Sequence, residues 1–534
     1  MSIDVRPATP SMTPSTAQHG ARPRSRDGAV DLARAWCLIV VVAMHALMVG
    51  VSVDASGPVL QNALDSWPAL APFTWFAQIM PLFFVLGGFS AFTQYTALSL
   101  RGVTASAFVA LRMRRLLRPA VAAIAAMVIV LAVLTVVGVP GSLVAIAGFR
   151  LSQPLWFLGV YALTTALVPL ALAAHRRSAY ATATVLALAV VSVDVVRAAT
   201  GIAAFGFVNL LFVWLLVQQL GFWLAEDRLP HGRLALLALA AGAYAALAVL
   251  CGFGAFSFDL LSDLNPPSFA LVLLGVGQLV LFRLLAPTLR RMHAVRPVNS
   301  VATWINARSL TVYLWHMLVL VLMAGALLLS GASLPTPLSG TWWESRPVWL
   351  LCVVASVGLV TALTARWEAP GARGGLTDAT RAIGWGRASC AAALGAGGVV
   401  VILITGLTMA GGVVGLACIA AGLRLAAVRG DVRPARGAGA PVWSELLDGC
   451  RQLRDQFVEQ LDRVLPAVHR ARGHAHREHG VVVPVGVEPV ADEEHLGETD
   501  ARQLRQPADS VSLVDALTRD IHRRRTPGAH LEVG

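Results

Sequence analysis

The chain has 534 residues, 56% of them hydrophobic and only 13% charged, with a mean hydropathy of +0.68; a soluble domain carries about a quarter charged residues, so an ordinary soluble fold is excluded. The formal charge is +12 and all 42 basic side chains are arginine, but they gather between apolar runs, which is the pattern of membrane orientation and not of nucleic-acid binding. Six cysteines (Cys37, Cys251, Cys352, Cys390, Cys418 and Cys450) stand far apart without a CxxC pair and read as small apolar side chains.

In chain order, residues 1–30 are polar and basic and are read as a disordered tail. They lack a small-residue cleavage site, so the first apolar run is expected to be an anchor helix. Runs of roughly 20 apolar residues, enough to cross a hydrocarbon core, follow near 33–52, 72–93, 119–138, 154–173, 179–196, 205–224, 233–252, 268–286, 309–329 and 347–365. A weaker pair lies near 388–406 and 409–427. The predicted fold class is all-α: a polytopic transmembrane bundle with a ten-helix body over 31–366. An additional hairpin at 367–430 is either two spans or a re-entrant pair. A cytoplasmic tail over 431–534 is expected to hold a short amphipathic helix (Trp443–Leu465) and otherwise to be disordered. His474, His476 and His479 in that tail have ligand-like spacing, but a solvated tail accounts for them, and no metal site is predicted.

Charge placement tests this count of spans. With the N-terminal side taken as inside, the inside segments carry Arg22, Arg24 and Arg26, then Arg101 and Arg112 to Arg118, Arg176 and Arg177, Arg228 and Arg233, Arg283 to Arg296, and Arg366 to Arg387. The outside loops carry only Arg150, Arg197 and Arg346 beside several acids. The alternation obeys the positive-inside rule and places both termini in the cytoplasm.

Ionisable groups within spans are costly and mark candidate sites. Asp31, Arg34 and His45 lie along nearly one face of the first helix, with Arg34 and His45 about 16 Å apart along its axis. His45 is either a general base or a structural histidine bonded to a neighbouring helix. Gly87 and Gly88 allow a close helix contact or a local break, and Pro81 a kink. Arg112, Arg114, Arg115 and Arg118 stand at the expected inner entrance of the third helix, where they face lipid phosphates or grip a phosphorylated ligand. Trp156 and Tyr161 open the fourth helix, as an interfacial belt would. Tyr313 and His316 share a face of the ninth, near the depth of Arg34 on the first. These elements fit an enzyme; the helix count and polar residues also fit a secondary transporter or flippase, although no matched pair of broken-helix halves is evident.

Four segments in order resemble the membrane-embedded acyltransferase 3 family. The first-helix line RSRDGAVDLARAWCLIVVVAMH is similar to that family's opening, with Asp31, Arg34 and His45 in place. PLFFVLGGF resembles its Phe-Phe-x-x-Ser/Gly-Gly-Phe element with Gly87 where serine is frequent. LRMRRLLRP resembles its arginine motif, and SLTVYLWH a late element whose histidine is His316. Where some members carry Trp-x-x-x-x-Glu, this chain has Trp156 and Tyr161. The resemblance covers about residues 26–366. It implies an O-acyltransferase in the cell membrane that uses acyl-CoA, acetyl-CoA included, as donor substrate, with no permanently bound cofactor. The acceptor would be a hydroxyl of a glycan, glycolipid or related molecule, as in O-acetylation of the cell envelope. It further implies that the arginines, chiefly Arg115 and Arg118, hold the donor phosphates and that His45 takes the acceptor proton. The lipid bilayer is the expected partner; no nucleic acid is expected, and no oligomeric state is implied.

Overall fold

The computed structural model describes residues 27–54, 57–67, 69–330, 334–368 and 383–427. Among them are twelve helical segments long and apolar enough to cross a membrane, and the chain is a multi-pass membrane protein of all-α class. The amphipathic helix and the histidines expected beyond residue 430 lie outside the described residues, as does most of the expected N-terminal tail.

The first span, α1 (Gly28–Met48), begins earlier than its hydropathy suggests because Asp27 caps it. The Asp27 carboxylate accepts from Ala29 N at 3.0 Å and from Arg290 Nε and Nη2 at 3.1 and 2.8 Å. Burial raises the pKa of Asp27, but the Arg290 and Ala29 hydrogen bonds outweigh it and leave it below the usual carboxylate value. α1 also ends earlier than expected. The chain turns into an antiparallel hairpin, β1 (Val49–Asp54) and β2 (Gly57–Asn62), in register from Val49↔Asn62 to Asp54↔Gly57. Hydropathy alone continues the helix to residue 52; the β-branched, glycine-bearing stretch VGVSV favours extended backbone instead.

The second span is broken into α2 (Leu70–Ala77) and α3 (Met80–Ser99). Pro81 lies at the start of α3, where its missing N–H costs nothing, and so it opens a helix where a kink was expected. The break frees backbone groups, and two side chains take them up: Gln78 Oε1 accepts from Met80 N at 3.4 Å, and Gln278 makes the other bonds. Gln278 Oε1 accepts from Leu82 N at 3.0 Å, and its Nε2 donates to Gln78 O at 2.8 Å.

The next span, α4 (Ala105–Val136), is 32 residues long, about 48 Å at 1.5 Å per residue and well beyond a ~30 Å hydrocarbon core. Thr104 caps it, accepting from Ala107 N at 3.2 Å. The arginines 112–118 are therefore inside a helix, two to four turns from its start, and not at its entrance. Hydropathy reads such a charged overhang as loop although its backbone bonds are complete. α5 (Gly141–Ser152) and α6 (Leu155–Ala166) share the fourth span, and α7 (Val168–Arg177) follows. Then come α8 (Ala179–Thr200), the single turn α9 (Ala203–Gly206), α10 (Asn209–Ala225), α11 (Arg233–Gly252) and α12 (Phe269–His293). α13 (Arg296–Ala307) is strongly amphipathic and leads into α14 (Ser309–Leu329) and α15 (Gly340–Glu368).

The final pair, α16 (Trp385–Thr405) and α17 (Met409–Ala426), consists of two helices of spanning length. Gly406, at φ +66°, ends α16 in the left-handed conformation that glycine adopts freely. The two backbones touch: a Cβ on Gly398 would lie 2.6 Å from Gly415 O, and one on Gly415 2.7 Å from Gly398 O. The pair packs on α4 and α6, where Gly395 and Gly422 receive Leu117. It is a wall of the bundle and not an appendage.

Candidate active site

α1, α4, α6 and α14 carry the polar and aromatic side chains that the sequence reading singled out. His45, near the hairpin end of α1, is half-buried. His316 on α14 is fully buried and meets it: His316 Nε2 lies 3.4 Å from His45 Nδ1, with ring centroids 5.0 Å apart. Sequence position alone sets His316 near the depth of Arg34. It meets His45 instead, where α14 packs on α1, while Asn306 Nδ2, before α14, donates to Asp31 O at 2.7 Å and ties the other ends of the two helices.

The backbone assigns the protons. His45 Nδ1 is 2.9 Å from Val41 O and His316 Nδ1 is 2.6 Å from Tyr313 O. A carbonyl can only accept, so each Nδ1 carries a hydrogen. In the neutral rings each Nε2 then holds a lone pair. That of His316 faces the Nδ1–H of His45, and that of His45 is left for a proton from another molecule. The arrangement is a base with an orienting acceptor behind it.

At the arginine-rich end, Arg112 is the member of its cluster that turns inward. Its Nη2 donates to Gln94 Oε1, its guanidinium lies 5.4 Å from the Phe108 ring, and Arg34, Arg115 and Tyr161 are within electrostatic reach. Arg112 is half-buried, whereas Arg115 and Arg118 are exposed. Arg34, on α1, is likewise half-buried. Three guanidiniums converging from two helices repel one another unless an anion joins them. Arg114 is also partly buried and has interactions of its own.

Between the two ends runs a line of rings. Tyr161 stacks on Phe157 at 5.4 Å, Phe157 meets Tyr313 at 4.9 Å, Tyr313 meets His316 at 5.7 Å, and His316 meets His45. Trp156 stacks on Trp214 at 5.8 Å, which stacks on Phe84 at 4.3 Å. Trp156 and Tyr161, both half-buried, therefore pack against the core cluster. The sequence reading missed Phe157, the hub of this group; an i,i+4 relation to Tyr161 was its one visible signal. Tyr313 is held by its hydroxyl, which donates to Pro154 O.

Gly88 serves packing. A Cβ there would lie 2.3 Å from Gln218 O, and one on the facing Gly221 of α10 would lie 2.1 Å from Val85 O. Gly87 has only Tyr161 Cε2 near it, at 3.5 Å. This crossing sets Phe83 and Phe84 against Phe157. Among the described residues no three His, Cys, Asp or Glu side chains gather in a metal-binding group.

A family model described as an acyltransferase domain matches residues 27–365, more than half of the chain and all of the site above. No curated protein and no solved structure matches.

Proposed function

The chain belongs to the acyltransferase domain family, and from that premise we propose that it moves an acyl group from acyl-CoA to a hydroxyl of a glycan, glycolipid or related acceptor, with His45 as general base. The arginine-rich end is then cytoplasmic, since inside segments collect arginine, and the hairpin end faces outward across a cell membrane.

Arg112, Arg34 and Arg115 supply the positive field for the phosphates of the donor, each able to form bidentate contacts. This shifts the emphasis of the sequence reading from Arg115 and Arg118 to the inward Arg112. The ring line from Tyr161 to His316 marks an apolar path for the pantetheine arm toward His45. There the acceptor oxygen attacks the thioester carbonyl carbon while its proton passes to His45 Nε2. The carbon–sulfur bond breaks as the tetrahedral intermediate collapses, and the proton is returned to the departing sulfur. During the first transfer the imidazolium of His45 shares its Nδ1–H between Val41 O and His316 Nε2, so positive charge is met by two acceptors. Positioning in a site shielded from water contributes much of the rate.

The observation that carries this reading is the contact of two histidines from α1 and α14 with both Nδ1 hydrogens anchored to backbone. It is tested with His45→Ala. Purified protein in vesicles is given radiolabelled acyl-CoA, and thioester cleavage and labelled envelope lipid or glycan are followed. We expect loss of transfer by at least 10²-fold with unchanged melting, the scale of general-base catalysis. Full activity of the variant would refute the role of His45.

A further inference from the structure

Three arginines stand at the hairpin end, and two of them face acids. Arg150 lies in the field of Asp65, and Arg197 in the fields of Asp194 and Asp263. Arg346, in the second turn of α15, has no acidic partner among the described residues. Its guanidinium is nevertheless held firmly. It lies 4.3 Å from the Trp342 ring and 5.6 Å from the Trp349 ring. Nε donates to Trp342 O at 3.2 Å, and Nη2 donates to Ser345 Oγ at 3.0 Å.

Arg346 is the one charged residue on the wall of a small pocket otherwise lined by Val49, Val51, Leu327, Pro335 and neighbouring apolar side chains. A wall residue of the pocket touches the last turn of α1, which carries the base. Trp349 Nε1 donates at 2.9 Å to the carbonyl of Ala46, the residue after His45. A half-buried guanidinium without a counter-charge is costly, and stacking on two indoles offsets only part of that cost. Its fork is pre-oriented for an oxyanion, and the apolar walls suit a hydrocarbon chain, from which a soluble anion would gain nothing.

We propose that this pocket binds the phosphate of an outer-leaflet lipid and so brings a phosphate-bearing lipid beside His45 as acceptor. The proposal rests on the orientation and chemistry given under the proposed function, but its test reads binding alone. Purified, delipidated protein in maltoside detergent is titrated with phosphatidylglycerol, with diacylglycerol of the same chains, or with inorganic phosphate, and bound ligand is counted by native mass spectrometry. Phosphatidylglycerol should bind about tenfold more tightly than diacylglycerol, the scale of one charge-assisted pair. Arg346→Gln should abolish that preference, and Arg346→Lys should keep part of it. Should the glutamine variant not fold, the wild-type lipid comparison and the lysine variant decide. His45→Ala should bind phosphatidylglycerol normally whether or not acyl transfer is lost, so the two readings fail separately. Equal binding of the two lipids to the wild type, or an undiminished preference in Arg346→Gln, overturns the proposal. Arg346-dependent binding of inorganic phosphate as tight as that of the lipid overturns the lipid as ligand.

Discussion

Replacing His316 by alanine isolates the contribution of the second histidine. The substitution removes the acceptor behind His45 but leaves Val41 O, 2.9 Å from Nδ1, to hold the hydrogen there. The tautomer of His45 therefore survives, and the roughly 10⁴-fold loss caused by a wrong tautomer in a serine-protease triad is not expected. What is lost is one hydrogen bond to the imidazolium. Such bonds are worth about 1.5–3 kcal/mol. At 3.4 Å this one lies beyond the usual range, so about 1.5 kcal/mol applies, a roughly tenfold fall in rate. His316 is fully buried, so the void also lowers stability, by about 2 kcal/mol or more. His316→Asn fills much of the void and offers an amide oxygen to Nδ1–H. The assay is single-turnover cleavage of acyl-CoA by wild type and both variants, each with its melting temperature measured. The alanine variant should lose about tenfold in the saturating single-turnover rate at an unchanged half-saturating acyl-CoA concentration, and asparagine should recover part of it. A loss as deep as that of His45→Ala, a change under about twofold, or an asparagine variant no better than alanine would refute the reasoning.

Three further outcomes follow from the packing and the loops. Gly221→Ala places a carbon 2.1 Å from Val85 O and 2.7 Å from Phe89 N, so α3 and α10 must part by about 1 Å to reach ordinary contact distance; we expect 1–3 kcal/mol of destabilisation, roughly, and reduced activity, and a wild-type melting temperature would contradict it. Asp263 is buried between Ser257 N and Ser268 Oγ, and burial pushes its pKa from 3.8 up to about 6. The folded state thus prefers the protonated acid; this stabilisation is full below about pH 4 and is lost as pH rises through 6. Asp263→Asn mimics the protonated form and should melt higher than wild type at pH 8, by up to ~3 kcal/mol of stability, with little difference at pH 4. A difference that does not vary with pH would count against it. Deleting residues 384–534 strips α16 and α17 from α4 and α6 and exposes the face that holds Leu117. The shortened protein should aggregate in gel filtration, and a monodisperse, active product would show the pair to be dispensable.

The sequence by itself determined the membrane class and the order of the ten spans of the body, because hydrocarbon thickness demands long apolar runs; that the last pair is two helices of spanning length and not a re-entrant pair came from the structure. The sequence also placed Arg34 and His45 on one face of α1, since helical periodicity is a local property. Its errors were local too. Hydropathy read the arginine overhang of α4 as a loop, although Thr104 caps a helix there, and it ran α1 through residues that form β1. What periodicity cannot supply is the partner of a face. Only the tertiary structure decided that His45 meets His316, 271 positions away, that Arg112 comes within electrostatic reach of Arg34, and that Trp156 and Tyr161 pack against the core. Those pairings are set by how closely helices can approach. Gly88 and Gly221 bring α3 against α10, and the packing of α14 on α1 sets His316 against His45. Interhelical distance of that kind is the joint outcome of many side-chain volumes and is written in no single segment.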